Sequence, residues 1–217
     1  MAALALIAVA HCVADRQSGN SWRLSASGWA IATLAFISPL CALSVSLFSA
    51  RIAQHMILIL IAAPIIASSL SRYRIFAGPA SLWAASALFF AFLWFWHMPA
   101  PYEATFASPV IYWAMHISLF GSAIWLWATL LRQHSAHAFA AGALTSMQMG
   151  LLGAVICFAS WPMYRPHYAT TEAWGLTPLA DQQLGGALMW VPGCLLFLWL
   201  AMRCLGSAWR SLEEAAA

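Results

Sequence analysis

Long apolar runs separated by short polar breaks set the pattern of this chain. The runs fall at about 1–14, 24–48, 52–70, 82–98, 109–131, 138–162 and 182–204, each bounded by charged residues, proline or glycine. A helix needs about 20 predominantly apolar residues to cross the hydrocarbon core of a bilayer, and roughly 17 are tolerated. Backbone polar groups cannot stay unpaired in lipid, so runs of this length predict helices rather than strands. The first run is short, but no basic stretch precedes it as in a cleaved signal peptide, and it reads as a short first span. The second and third runs nearly merge and are broken only around Ser49-Ala50-Arg51, where a tight helical hairpin is expected. One long tilted helix is the alternative there, and it would invert the parity of every later span. With no internal repeat and only short connections, the fold class is all-α. The expected architecture is a polytopic transmembrane helical bundle of about seven helices, forming a single domain over 1–217.

Composition supports that class and charge orients it. Hydrophobic residues make up 64% of the 217 positions and charged residues only 7%, against roughly 25% charged in soluble domains. Such a chain cannot cover its own surface with polar groups, and the lipid bilayer is its expected surroundings. Lysine is absent, and the net charge of +3 comes from arginines spread along the chain. No clustered basic surface suited to nucleic acid results. With the first connection placed inside, Arg16, Arg23, Arg72, Arg74, Arg132, Arg203 and Arg210 share one side, against Arg51 and Arg165 on the other. That bias predicts the N-terminus out and the C-terminus in. The five cysteines form no C-x-x-C pair and read as small apolar-context residues.

On this topology the histidines divide. Three sit beside methionines, in His55-Met56, His97-Met98 and Met115-His116, and all three pairs fall towards the outer ends of their spans. His55 lies about one turn inside the third span, and His97 closes the fourth, where Pro99 and Pro101 stop the helix. His116 lies about two turns down the fifth, roughly 10 Å deep at 1.5 Å per residue. Met189 lies at similar depth in the seventh, below Asp181, which is placed to cap that helix. Gly185 and Gly186 allow another helix to approach closely. The loop before the seventh span adds Met163, Tyr164, His167 and Tyr168, whereas His11, His134 and His137 fall on the inner side. A single histidine near a helix end is usually interfacial, and methionine in a membrane helix usually packs. Convergence separates this set from that background, because ionisable groups within a membrane are functional candidates. Imidazole and thioether are soft ligands suited to copper. The metal candidates are therefore His55, His97, His116 and Met189, with Arg51, Met56, Asp181 and His167 in support.

Several motifs carry a family resemblance. Phe48-Ser49-Ala50-Arg51-Ile52-Ala53-Gln54-His55-Met56, Ala63-Pro64, Trp96-His97-Met98-Pro99-x-x-Tyr102, His116, Met163-Tyr164 and Asp181-Gln182-Gln183-Leu184-Gly185-Gly186-x-x-Met189-Trp190 occur in that order. Together they resemble the CtaG family of polytopic membrane cytochrome c oxidase assembly factors, over about residues 45 to 193. The resemblance implies a protein of the bacterial inner membrane that helps mature a haem–copper oxidase. It also implies delivery of copper, as Cu(I) held transiently, to an oxidase subunit as client, with a soluble copper donor as a further partner. In the family pattern the third span opens with two histidines four residues apart. Here Arg51 occupies the first position and His55 the second, and arginine cannot ligate metal. A site would then draw on His55, His116 and Met189 from separate helices, with His97 or His167 at its entrance, while Arg51 pairs with Asp181 or Glu103.

Two other classes compete. Histidines on separate helices can be axial ligands in a haem-binding or accessory respiratory subunit, although His55 and His116 are expected to differ in depth by one turn. A transporter of copper or another small solute needs polar groups near the midplane, and only Met147-Gln148-Met149 lies there. No G-x-S-x-G or H-E-x-x-H motif and no paired carboxylates occur, so the protein is not expected to be an enzyme.

Overall fold

The computed structural model describes residues 2–18, 22–70, 72–133 and 135–216. His134, placed by the sequence in an inner turn, lies outside them. The described residues form helices joined by short turns and one longer loop over 159–177, with no strand among them. The elements are α1 (Ala2–Gln17), α2 (Trp22–Ile37), α3 (Pro39–Ser46), α4 (Phe48–Met56), a wider π-helical stretch (Ile57–Ala62), α5 (Ala63–Leu70), α6 (Pro79–His97), α7 (Pro99–Ala107), α8 (Pro109–Arg132), α9 (Ala136–Phe158) and α10 (Pro178–Ala216). Five helical segments are long and apolar enough to cross a membrane: Phe48–Leu70, Pro79–His97, Pro109–Arg132, Ala136–Phe158 and Pro178–Ser207. A sixth arises if α2 and α3, bent by 49° at Ser38-Pro39, form one span. The first apolar run does fold into a helix, but α1 has only 16 residues.

Proline explains two of the irregularities. At the α2–α3 bend, Pro39 has no N–H to give the carbonyl four residues back, that of Ala35. That carbonyl instead accepts from Gln54 Nε2 at 2.8 Å. In the π-helical stretch the Ala63 N–H bonds to the carbonyl of Leu58, five residues back. In that register Ile59 would be served by residue 64, which is Pro64 and has no proton to donate. The indole Nε1 of Trp127 on α8 donates to Ile59 at 2.8 Å instead. Each proline thus leaves one orphan carbonyl, and each orphan is met by a side chain from a neighbouring helix.

The α4–α5 segment lies at the centre, packed by α2, α8 and α10. Gln54 against Ala35, and Gly28 against Ile66, show that the chain returns antiparallel after α3. A hairpin therefore forms, but its turn is at Leu47, which is extended, and Ser49, Ala50 and Arg51 are already helical. The reason lies 132 residues away. The buried carboxylate of Asp181 accepts from the Phe48 N–H at 2.6 Å and the Ser49 N–H at 3.1 Å, and from the Ser49 hydroxyl. Those are first-turn donors that an isolated α4 would leave unmet. Asp181 does not cap its own helix, as the sequence suggested. Thr177 does that, accepting from the Ala180 N–H at 3.1 Å.

Glycines set the spacing around α10. A Cβ on Gly185 would lie 2.5 Å from the Phe48 ring, and one on Gly186 would lie 2.5 Å from the Cys157 backbone nitrogen. The Gly185-Gly186 pair therefore serves internal contacts, one glycine facing α4 and the next facing α9. The last helix is also longer than its apolar run, at 39 residues with Pro192 inside it.

Candidate functional site

Three helices bring three imidazoles together. His55 is the seventh residue after Phe48 in α4, and His116 is the seventh after Pro109 in α8. Both therefore sit roughly 10 Å along their helices. The expected one-turn offset between them disappears because the Asp181 cap starts α4 earlier than the apolar pattern suggested. His97 is the last residue of α6, where Met98 turns extended and Pro99 opens α7. The His55 ring lies 5.2 Å from that of His116 and 5.8 Å from that of His97, centroid to centroid. All three are buried, at 2–3% exposure. Trp96 supports the arrangement by donating to Ser118 Oγ at 2.8 Å, which ties α6 to α8.

Hydrogen bonding leaves the ring nitrogens in a ligating form. His97 Nδ1 is 2.6 Å from the Leu93 carbonyl, and His116 Nδ1 is 3.0 Å from that of Tyr112. A carbonyl only accepts, so each Nδ1 carries the proton and each Nε2 carries a lone pair. Those two Nε2 atoms, and both ring nitrogens of His55, are buried with no hydrogen-bond partner among the described residues. An orphaned buried polar atom costs about 1–3 kcal/mol. Two imidazoles sharing one ion, each with a metal–nitrogen bond of about 2.0–2.1 Å, have centroids spaced much as these are. The donor set therefore fits a soft metal ion. As the rings stand, no group of three or more His, Cys, Asp or Glu side chains among the described residues is placed to hold one. A small void beside His55 and His116, lined by Leu58, Ile59, Leu119 and Phe120, is too narrow for a water molecule.

Arg51 forms the next layer. It is 1% exposed and, among the described residues, it makes no ion pair with Asp181 or Glu103. Arg165 lies 3.9 Å from Glu103 instead. Arg51 Nε donates to the Ser44 carbonyl at 3.1 Å, and Nη1 donates to Thr105 Oγ1 at 2.8 Å. Its guanidinium lies 4.1 Å from the Phe106 ring centroid, 5.2 Å from Tyr102 and 5.8 Å from Tyr112. The guanidinium is thus held by π faces and neutral acceptors, one helical turn from His55. Thr105, Phe106 and Tyr112 were not singled out from the sequence. A readable signal existed, since Tyr102, Thr105 and Phe106 share one face of a helix that Pro99 can open at its first position.

His167 does not join the histidine cluster. Its Nε2 shares a hydrogen bond of 2.6 Å with the Tyr102 hydroxyl, and the ring packs edge-on to Phe106 at 5.5 Å. Burial holds its pKa down to about 4. Tyr164 stacks on Phe48 at 4.1 Å and donates to the His97 carbonyl at 2.7 Å, and burial raises its phenol pKa. Tyr164 and His167 therefore brace the site from within, whereas Tyr168 and Trp174 of the same loop are exposed. Met56 and Met189 are buried. Phe48 at Asp181 and Ile52 at Gly185 set the register of α4 on α10. One turn further, that register places Met189 level with Met56, on a different face of α4 from His55.

No curated protein and no solved structure matches this chain. A family comparison does match, over residues 66–211, and it takes in His97, His116, His167, Asp181 and Met189 but begins after Arg51, His55 and Met56. Covering two thirds of the chain, that match shows that it belongs to the cytochrome c oxidase caa3 assembly factor (Caa3_CtaG) family.

Proposed function

We propose that this protein receives Cu(I) at the His55–His97–His116 cluster and passes it to a subunit of a haem–copper oxidase during assembly. The observation that carries the reading is the set of four orphaned ring nitrogens on three touching, buried histidines. Coordination of an ion offsets their desolvation, and no hydrogen bond from the described residues does so. Small rotations of the rings close the three imidazoles on the ion, and Met189 and Met56, on another face of α4, are left out of the site. The cation of Arg51 one turn away disfavours a second positive charge, which keeps binding weak enough for release by ligand exchange. The metal is cargo, so no chemical turnover is involved.

In this reading the bundle lies in a bacterial inner membrane with α1 counted as a short seventh crossing. The arginine bias puts the N-terminus and the histidine end outside and the C-terminus inside. A soluble donor loads the site from that outer face. The test is titration of purified protein with Cu(I) against a competing chelator. Wild type should bind close to one equivalent and the His55→Ala, His116→Ala double variant should bind none. Equal binding by both would remove the chaperone mechanism while leaving the family assignment intact. In cells, loss of the gene should lower oxidase activity, and added copper should restore part of it.

A further inference from the structure

At the far end of the bundle from the histidines, the π-helical stretch, α5, α8 and α10 enclose a groove of about 530 Å³. Its walls are Leu60, Pro64, Trp127, Leu196 and Leu200, and its mouth carries Arg203 and Arg210. We propose that this groove is a binding site for an anionic phospholipid, with an acyl chain between the helices and the phosphate on the two arginines. The volume lies within the roughly 300–1,000 Å³ of ordinary ligand sites. Three further observations support the lipid.

The first is charge. Among the described residues neither arginine makes an ion pair, and no acidic residue lines the groove. Both guanidinium groups are exposed. The second is orientation. Arg203 lies over the Trp199 ring at 5.1 Å, a contact that supplies no acceptor oxygen and so leaves its N–H fork for an oxyanion. Seven residues apart on α10, Arg203 and Arg210 share a face and stand roughly 10 Å apart along the axis. Ser207 lies between them. The third is depth. Arg203 follows Asp181 by 22 residues, a rise of roughly 33 Å against a hydrocarbon core of about 30 Å. That places Arg203 where lipid phosphates lie, with the apolar walls on its hydrocarbon side. A zwitterionic lipid offers the same phosphate but brings its own cation, so the paired arginines select for net negative charge.

The site does not depend on copper, and the test uses metal-free full-length protein. Protein in mild detergent is mixed with equal amounts of phosphatidylglycerol and phosphatidylcholine, and retained lipid is counted by native mass spectrometry. Wild type should retain phosphatidylglycerol over phosphatidylcholine by roughly thirtyfold, the equivalent of about 1 kcal/mol for each of the two arginines. The preference should vanish in Arg203→Gln, Arg210→Gln and persist in Arg203→Lys, Arg210→Lys. Leu200→Trp, which fills the groove, should lower retention of both lipids. Equal retention of the two lipids by wild type, or an unchanged preference in the double glutamine variant, would overturn the site.

Discussion

His11 and His55 lie in the same bundle, and their rings meet opposite surroundings. Trp29 Nε1 donates to His11 Nδ1 at 3.0 Å, and Nε2 lies 2.9 Å from Ser69 Oγ and 3.5 Å from Asp15 Oδ2. Asp15 in turn accepts from Ser25 and, at 2.5 Å, from Arg72. Both His11 nitrogens and both Asp15 oxygens have partners, and the network ties α1 to α2 and to the end of α5. His55 is more deeply buried and, among the described residues, has no hydrogen-bond partner for either nitrogen. A satisfied buried network serves architecture, because each group repays its own desolvation. An unsatisfied one costs stability, and that cost is retained where a site serves function.

Substitutions at the two ends should separate these roles. A large loss is expected from Asp15→Ala, which strands Arg72 and the hydroxyl of Ser25. Unfolding in detergent should show a loss of about 2–4 kcal/mol, since the buried Ser25 hydroxyl loses a charged acceptor and Arg72 its ion pair, while copper binding by the folded fraction stays unchanged. A copper defect in that variant would merge the two ends and break the contrast. Asp181→Ala should cost about 2–4 kcal/mol, since two backbone donors and one hydroxyl lose a charged acceptor. It should also weaken copper binding, because α4 would fray from Phe48 and release His55. His55→Leu should behave oppositely. Removing an orphaned polar ring in favour of an apolar side chain leaves stability unchanged or raises it by about 1 kcal/mol, yet copper is lost. A strongly destabilised His55→Leu protein would mean that the ring has an architectural partner.

The smallest effect concerns pH. The folded protein keeps His167 neutral down to about pH 4, whereas an unfolded histidine protonates near pH 6.5. Its folded pKa is depressed, so the unfolded chain takes up the proton first as pH falls. The stability held by the Tyr102–His167 contact is therefore complete above about pH 6.5 and declines from there towards pH 4. Melting temperatures between pH 7 and 5 should fall more steeply in wild type than in His167→Gln.

Much of this was legible in the chain because apolar run length and histidine position are local properties. The histidine-bearing spans, the stop after His97 and the close approach at Gly185-Gly186 all follow from neighbouring residues. The missed features depend on contacts distant in sequence. The start of α4 is set by Asp181, so reading the break at Ser49-Ala50-Arg51 misplaced it and put His55 one turn too shallow. Pro99 was read as a stop, but a proline also suits a first helical position, and α7 begins there. Arg51 lacks its expected carboxylate because aromatic faces from α7 and α8 surround it, and hydrophobic periodicity does not reveal such faces. His167 is expected in support, at the entrance of the site, and its ring lies instead among Tyr102, Phe106 and Phe48.

X-ray absorption at the copper edge of Cu(I)-loaded protein tests the central claim most directly, because imidazole ligands leave a distinctive outer-shell scattering pattern. The account predicts at least two imidazole nitrogens about 2.0 Å from the ion, with that pattern abolished in the His55→Ala, His116→Ala variant. Copper held by sulfur alone, or an imidazole pattern unchanged in that variant, would contradict it.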